Sequence, residues 1–223
     1  MHSRSKLTTF LIFVNVTVYI FSALLSHHFT DMNNKVLVEM GALFGPFVVL
    51  KGEWWRLLSA MFLHGGITHI LMNMFSLYIV GRGVALYFDT KSYLALYFFS
   101  GIYGGLISLL VHPVSVGVGA SGAIFGVFGA LAGFFLAHKA RIARYAQGFM
   151  REFGTIIGIN LLFGMVIPSV DVSAHIGGLL VGLLGGFVLA KNPKWFMLYM
   201  GSMMSGALLL GFYLVEYYAQ IRF

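Results

Sequence analysis

Seven apolar segments fill most of this 223-residue chain, near 7–26, 67–87, 92–111, 116–138, 153–167, 172–190 and 195–218, the fifth being the shortest. A helix needs about 20 mostly apolar residues to cross the hydrocarbon core of a bilayer. Backbone polar groups must find partners inside the spanning segment there, so only helices and closed barrels qualify. No stretch shows the alternation of a barrel strand. The expected fold class is therefore an all-α membrane protein, a polytopic helical bundle. Charged residues make up 9% of the chain, against about 25% in a soluble domain. The run that begins at Leu7 is longer than the roughly 7–15-residue core of a cleaved signal, and it reads as the first transmembrane helix.

The formal net charge of +7 raises the question of nucleic acid. Its distribution points to topology instead. With the N-terminus in the cytoplasm, ten basic residues fall inside: Arg4, Lys6, Arg82, Lys91, Lys139, Arg141, Arg144, Arg151, Lys191 and Lys194. Four fall outside: Lys35, Lys51, Arg56 and Arg222. That asymmetry follows the positive-inside rule. The partners expected are the lipid bilayer and membrane proteins, with no nucleic acid. The chain contains no cysteine, so it has no thiolate nucleophile and no thiolate metal site. His64 and His69 are five residues apart with no Glu between them, unlike the HExxH zinc pattern. No metal and no cofactor are expected.

The connection from about 27 to 66 is the one long loop, and it is rich in Phe44, Phe47, Trp54, Trp55, Leu57, Leu58 and Phe62. Paired tryptophans beside Arg56 suit a segment lying in the membrane interface. An ordinary aromatic belt would look the same.

Polar groups inside a span are costly, which makes them functional candidates. Ser121 opens the fourth segment among Gly117, Gly119 and Gly122. His175 opens the sixth, and His69 and Asn73 share one face at the start of the second. Segments two, four and six all run from outside to inside, so their N-terminal ends lie at one depth on one side. A hydroxyl beside an imidazole suggests a nucleophile and its general base. Helix N-termini offer free N–H groups and partial positive charge, which suit the oxyanion of acyl transfer. Gly122, Gly126, Gly129 and Gly133 line one face of the fourth segment, and Gly178, Gly182 and Gly185 or Gly186 one face of the sixth. Small faces of this kind let two membrane helices come close. Ser121 would then reach His175. The soluble-hydrolase elbow G-x-S-x-G does not fit, because position 123 is Ala and no strand precedes the serine.

Gly119-Ala-Ser-Gly122, Ala174-His175 followed by Gly178 and Gly182, and His69 with Asn73 together resemble the rhomboid family of intramembrane serine proteases. Gly52-Glu-Trp-Trp-Arg56 through Met61-Phe-Leu-His-Gly65 resembles that family's first-loop signature. The resemblance covers roughly residues 7–190. It implies a six-helix rhomboid-like catalytic domain over 1–190 and an added C-terminal transmembrane helix over 191–223. By the same resemblance, Ser121 and His175 form a catalytic dyad with no required acid. Asn73, His69 and the Ser121 N–H form the oxyanion hole. Gly119 shapes the loop entering the serine, Phe125 packs on the His175 ring, and Trp55 and Arg56 shape the first loop. Relatives often carry a glutamate shortly after the glycine that ends helix two, whereas Val80–Leu86 here has no acid. Asp171, four residues before His175, suggests a triad, which the family does without.

The implied activity is peptide-bond hydrolysis in or beside the transmembrane segments of membrane proteins, the substrate entering sideways past helix five. One alternative is a rhomboid-like pseudoprotease that binds membrane clients, which usually lacks the nucleophile or the base. Another is a small transporter, which predicts polar residues across the membrane, whereas Asn160 is isolated. The compact chain suggests a bacterial inner membrane, with the site opening to the outer side. Oligomeric state is not specified.

Overall fold

A computed structural model of the chain describes residues 2–140 and 170–221, with positions 148, 151, 154–155, 157–159 and 162 between them. The fifth apolar segment, expected near 153–167, falls largely outside the described residues, as do Arg141, Arg144, Asn160 and Arg222. The described elements are α1 (His2–Ser26), α2 (Asn34–Glu39), β1 (Leu43–Phe44), a π-helical turn (Pro46–Leu50), α3 (Arg56–Ser59) and a 3-10 turn (Ala60–Phe62). There follow α4 (Ile67–Tyr87), α5 (Thr90–Val111), β2 (Val116–Gly117), α6 (Ser121–Ala137), α7 (Val172–Lys191) and α8 (Phe196–Gln220). The protein is an integral, multi-pass helical bundle. Five of these helices are long and apolar enough to cross a membrane, and α6 is a shorter apolar helix.

Side-chain caps set several helix starts. Asp89 accepts from the Ser92 N–H at 2.8 Å and begins α5, and Asp171 accepts from the Ala174 N–H at 3.0 Å and begins α7. Such caps satisfy N–H groups that have no partner within the helix.

The glycine faces set the centre of the bundle. A methyl group added at Gly178 would lie 3.2 Å from the Gly122 Cα, one at Gly182 2.6 Å from the Gly126 Cα, and one at Gly186 2.5 Å from the Ala130 Cα. The partners advance in step, so α6 and α7 run parallel with their backbones in contact. α4 also runs parallel to α6, with His69 against Gly119 at one end and Gly83 against Leu131 further along. α5 crosses antiparallel to both, placing Gly104 beside Gly122 and Ala174, and Ser100 beside Gly126. The N-terminal ends of α4, α6 and α7 therefore share one end of the bundle.

The long first loop is folded and not a solvated tether. Arg56 is its anchor. It is 5% exposed and donates through Nε to Glu53 Oε2 at 2.6 Å, and through Nη1 to the carbonyls of Val38 at 2.6 Å and Ala42 at 3.1 Å. Its guanidinium also lies 5.0 Å from the Phe47 ring centre and 4.8 Å from that of Trp55. The carboxylate that holds the first loop's arginine thus comes from within the loop itself.

The fourth apolar segment begins at residue 116, but its helix begins only at Ser121. Val116 and Gly117 form β2, paired antiparallel with Phe44 and Leu43 of β1. Gly119 then takes φ +124°, outside the helical region. Only glycine adopts that conformation freely, so the helix cannot begin before it. Ser121 becomes its first residue.

Candidate active site

Ser121 stands where a two-stranded ribbon hands over to a helix. The Gly119 N–H donates to the Ala60 carbonyl at 2.9 Å, tying the serine loop to the end of the first loop. Ala120 behind it is fully buried. Ser121, half-buried, opens α6, where the first N–H groups have no acceptor within the helix.

His175 sits one turn into α7 and is 7% exposed. Its ring stacks on Phe125, with centroids 4.2 Å apart and planes at 8°. Phe125 is one turn beyond Ser121 on α6. The flanking backbones touch as well, since a methyl added at Gly122 would lie 3.4 Å from the Ala174 carbonyl oxygen. Ser121 and His175 are thus carried by residues in direct contact, while no hydrogen bond joins the two side chains in this state. Catalytic hydrogen bonds often tighten only when substrate is bound. The His175 Nδ1 is buried with no hydrogen-bond partner. Asp171 does not serve it. The Asp171 carboxylate accepts from the Ala174 N–H at 3.0 Å and from the Ser173 hydroxyl at 2.5 Å. Burial raises its pKa, but hydrogen bonds from Ser108, Ser173 and the Ala174 N–H, and the nearby His112, outweigh burial and hold it below the usual carboxylate range. The capping role explains this aspartate without a triad.

His69 and Asn73 flank the serine loop from α4. A methyl at Gly119 would lie 2.7 Å from the His69 Nε2, so glycine there serves both the positive φ and the approach of this ring. Asn73 is buried and donates one amide hydrogen to the His69 carbonyl at 2.9 Å. Its second amide hydrogen is left for a ligand. Gly178 and Gly182 carry no chemistry and set the α6–α7 separation. Trp55, 53% exposed, and Arg56 belong to the first-loop anchor. The ten residues singled out in the sequence thus fall into two groups: Ser121, His175, Asn73, His69, Gly119 and Phe125 around the serine loop and its facing rings, and Gly178, Gly182, Trp55 and Arg56 at the interhelical seam and first loop.

Sequence spacing gave no role to His64, and burial supplies one. It is fully buried, neither ring nitrogen makes a well-formed hydrogen bond, and its ring packs edge-on against His69 with centroids 5.1 Å apart. Burial, reinforced by the His69 imidazole and partly offset by the Phe62 carbonyl, pushes His64 down from 6.5 to about 3. Between those values the unfolded chain holds a proton that the folded chain does not. Stability is therefore full above pH 6.5 and falls as pH drops toward 3. The slope from this one group approaches about 1.4 kcal/mol per pH unit. Unfolding in detergent between pH 4.5 and 7 should show a slope that His64→Phe reduces by up to that amount. Equal slopes in the two proteins would mean that His64 is not held neutral.

Among the described residues, no group of three or more His, Asp or Glu side chains is placed to hold a metal ion.

Comparison with known sequences supplies the remaining finding. The Rhomboid domain profile matches residues 51–192. The chain is similar to RHOMBOID-like protein 6, mitochondrial, of Arabidopsis thaliana, at 38% identity over 178 residues, covering 78% of this chain and 56% of the relative. It is similar to Rhomboid protease GluP of Bacillus subtilis (strain 168) at 39% identity over 162 residues, 71% of this chain and 29% of the relative. Rhomboid-like protease 3 of Toxoplasma gondii is 28% identical over 198 residues, 87% of this chain and 74% of that protein. The chain spans about half the length of the first two Arabidopsis relatives it matches, 56% and 51%.

Proposed function

The chain belongs to the rhomboid family, and from that premise we propose that it is an intramembrane serine endopeptidase acting through a Ser121–His175 dyad. The observation that carries the proposal is the seating of His175. Its ring is stacked on Phe125, one turn from Ser121, with a free Nδ1 in a buried, apolar setting. In this reading His175 takes the Ser121 proton as Oγ attacks the scissile carbonyl. The tetrahedral oxyanion is met by the Ser121 N–H, the free Asn73 amide hydrogen and His69. The amine leaves with the proton from His175, and water then releases the acyl-enzyme. Fixed donors in a site shielded from bulk water make oxyanion stabilisation strong.

The proposal extends to topology and organisation. The N-terminus is cytoplasmic and the site opens to the outer side, as the basic-residue asymmetry suggests. Residues 1–190 form the catalytic unit and 191–223 an added span. The membrane is a bacterial cell membrane. Substrates are transmembrane proteins whose spans enter sideways past the fifth segment. Their scissile region must leave the helical state, so small or helix-weakening residues near the outer end of a span are favoured.

The test is reconstitution in liposomes with a single-span protein carrying Ala and Gly at the outer end of its span. The proposal expects two fragments, cut within or beside the span. Recovery of intact test protein bound to the chain would overturn it in favour of client binding without cleavage.

A further inference from the structure

The Rhomboid domain match ends at residue 192, which leaves α8 outside it. The N-terminal half of α8 packs on the bundle centre through Phe196, Tyr199, Met200 and Met203, and its C-terminal half packs elsewhere. α8 has three buried residues, Tyr199, Leu214 and Tyr218, and two of them lie in its last two turns. Leu214 and Tyr218 are four apart and share a face. They enter a second hydrophobic core, separate from the bundle centre, made with Leu43, Val48, Val49, Leu57 and Ala60 of the first loop and Leu106 and Leu109 of α5. One turn earlier, Gly211 faces the Trp54 ring.

Tyr218 also shares its single hydroxyl proton between two backbone carbonyls. Its hydroxyl lies 2.9 Å from the Leu109 carbonyl, in the last turn of α5, and 3.1 Å from the Pro113 carbonyl, in the loop that leads to β2. A methyl added at Gly45 would collide with both the Pro113 carbonyl and the Tyr218 hydroxyl. Gly45 directly follows β1, and Pro113 precedes β2. The hydroxyl therefore closes the open end of the ribbon whose other end, at Gly117, runs into Gly119 and Ser121.

We infer that α8 is a positioning element for the nucleophile: Tyr218 locks the β1–β2 ribbon to α5 and so fixes the loop that presents Ser121. The inference rests on the catalytic reading above only for its kinetic consequence. The hydroxyl touches no reacting group, and it acts through the Pro113 carbonyl and the ribbon.

The test uses the full chain, purified in detergent, with Tyr218→Phe compared with Tyr199→Phe. Both remove one hydroxyl from the same helix, but Tyr199 packs at the other end, against Phe99 and Gly185, and its hydroxyl has no hydrogen-bond partner. Two readouts are taken: amide hydrogen exchange across residues 112–120, and the rate of labelling by a fluorophosphonate probe. Loss of one hydrogen bond that carries a buried junction predicts roughly threefold to tenfold faster exchange and similarly slower labelling for Tyr218→Phe. With a cleavable substrate, kcat falls and KM holds. Tyr199→Phe leaves exchange and labelling unchanged. The inference is overturned if Tyr218→Phe exchanges and labels like the wild type, or if Tyr199→Phe changes both to the same extent. A wild type that never labels would count against the dyad, and the exchange comparison would still decide the role of Tyr218.

Discussion

Replacing Ser121 with alanine is expected to abolish the proposed cleavage and to leave the bundle folded. The substitution removes a single oxygen from the first residue of α6. It breaks no cap, because Ala120 precedes the helix and no side-chain bond holds that start. It also leaves the Gly122–Ala174 contact untouched. The loss is therefore catalytic and not structural. Removing a nucleophile from a unit that acts together costs several orders of magnitude, here at least about 10⁴-fold in kcat. His175→Ala produces a comparable loss for a different reason. The hydroxyl is then present without the imidazole seated on Phe125, and the nearby Asp171 carboxylate is occupied in capping α7. The double variant is no worse than either single one, as expected when two groups perform one step. Cleavage rates in liposomes, with unfolding midpoints measured in parallel, check all three. A Ser121→Ala protein that cuts at the wild-type rate would end the assignment.

Gly182→Val has the largest expected effect on stability. The first added carbon would lie 2.6 Å from the Gly126 Cα and closer still to the Gly126 carbonyl. Those neighbours are backbone atoms, so no side-chain rotation relieves the clash. α6 and α7 must separate, and every step of the shared seam loosens with them, from Gly122–Gly178 to Ala130–Gly186. Overpacking usually costs about 1–3 kcal/mol, and a clash with rigid backbone belongs at or above the upper end. In a membrane this seam has no hydrophobic driving force to fall back on and depends on close contact. On the proposed dyad, activity is expected to fall too, because the same seam carries His175 and Ser121. Gly201→Ala is the matched control: it lies in α8 with open space around it and should leave both stability and activity unchanged. Unfolding in mixed detergent measures the difference. A Gly182→Val protein as stable as the wild type would mean that the helices are not packed backbone to backbone.

The spans and the polar residues at their ends could be read from the sequence because the bilayer imposes both patterns. Length and apolarity mark a helix that must satisfy its own backbone. A hydroxyl, two imidazoles and an amide at matching helix ends stand out against that background. Glycine spacing on two segments also gave the seam. The ribbon was harder to see. His112 to Val118 reads as irregular connecting backbone, and the pairing of Val116 and Gly117 with Phe44 and Leu43 depends on a loop some seventy residues earlier. The positive φ of Gly119, which delays the helix until Ser121, shows only in the backbone. Arg56 looked like an interfacial charge, yet it is buried because Glu53 and two carbonyls from the same loop satisfy it. Asp171 has the spacing of a triad acid, but its place in a short outer loop already argues against that role. Only its hydrogen bonds reveal a cap.

The most direct test of the account is labelling of the purified protein by a fluorophosphonate probe, with Ser121→Ala and His175→Ala alongside. Such a probe phosphonylates a serine whose hydroxyl is activated by a base. The account predicts one label on the wild type, at Ser121, and none on either variant. A wild type that is well folded and stays unlabelled, or a His175→Ala protein that labels at the wild-type rate, would contradict it.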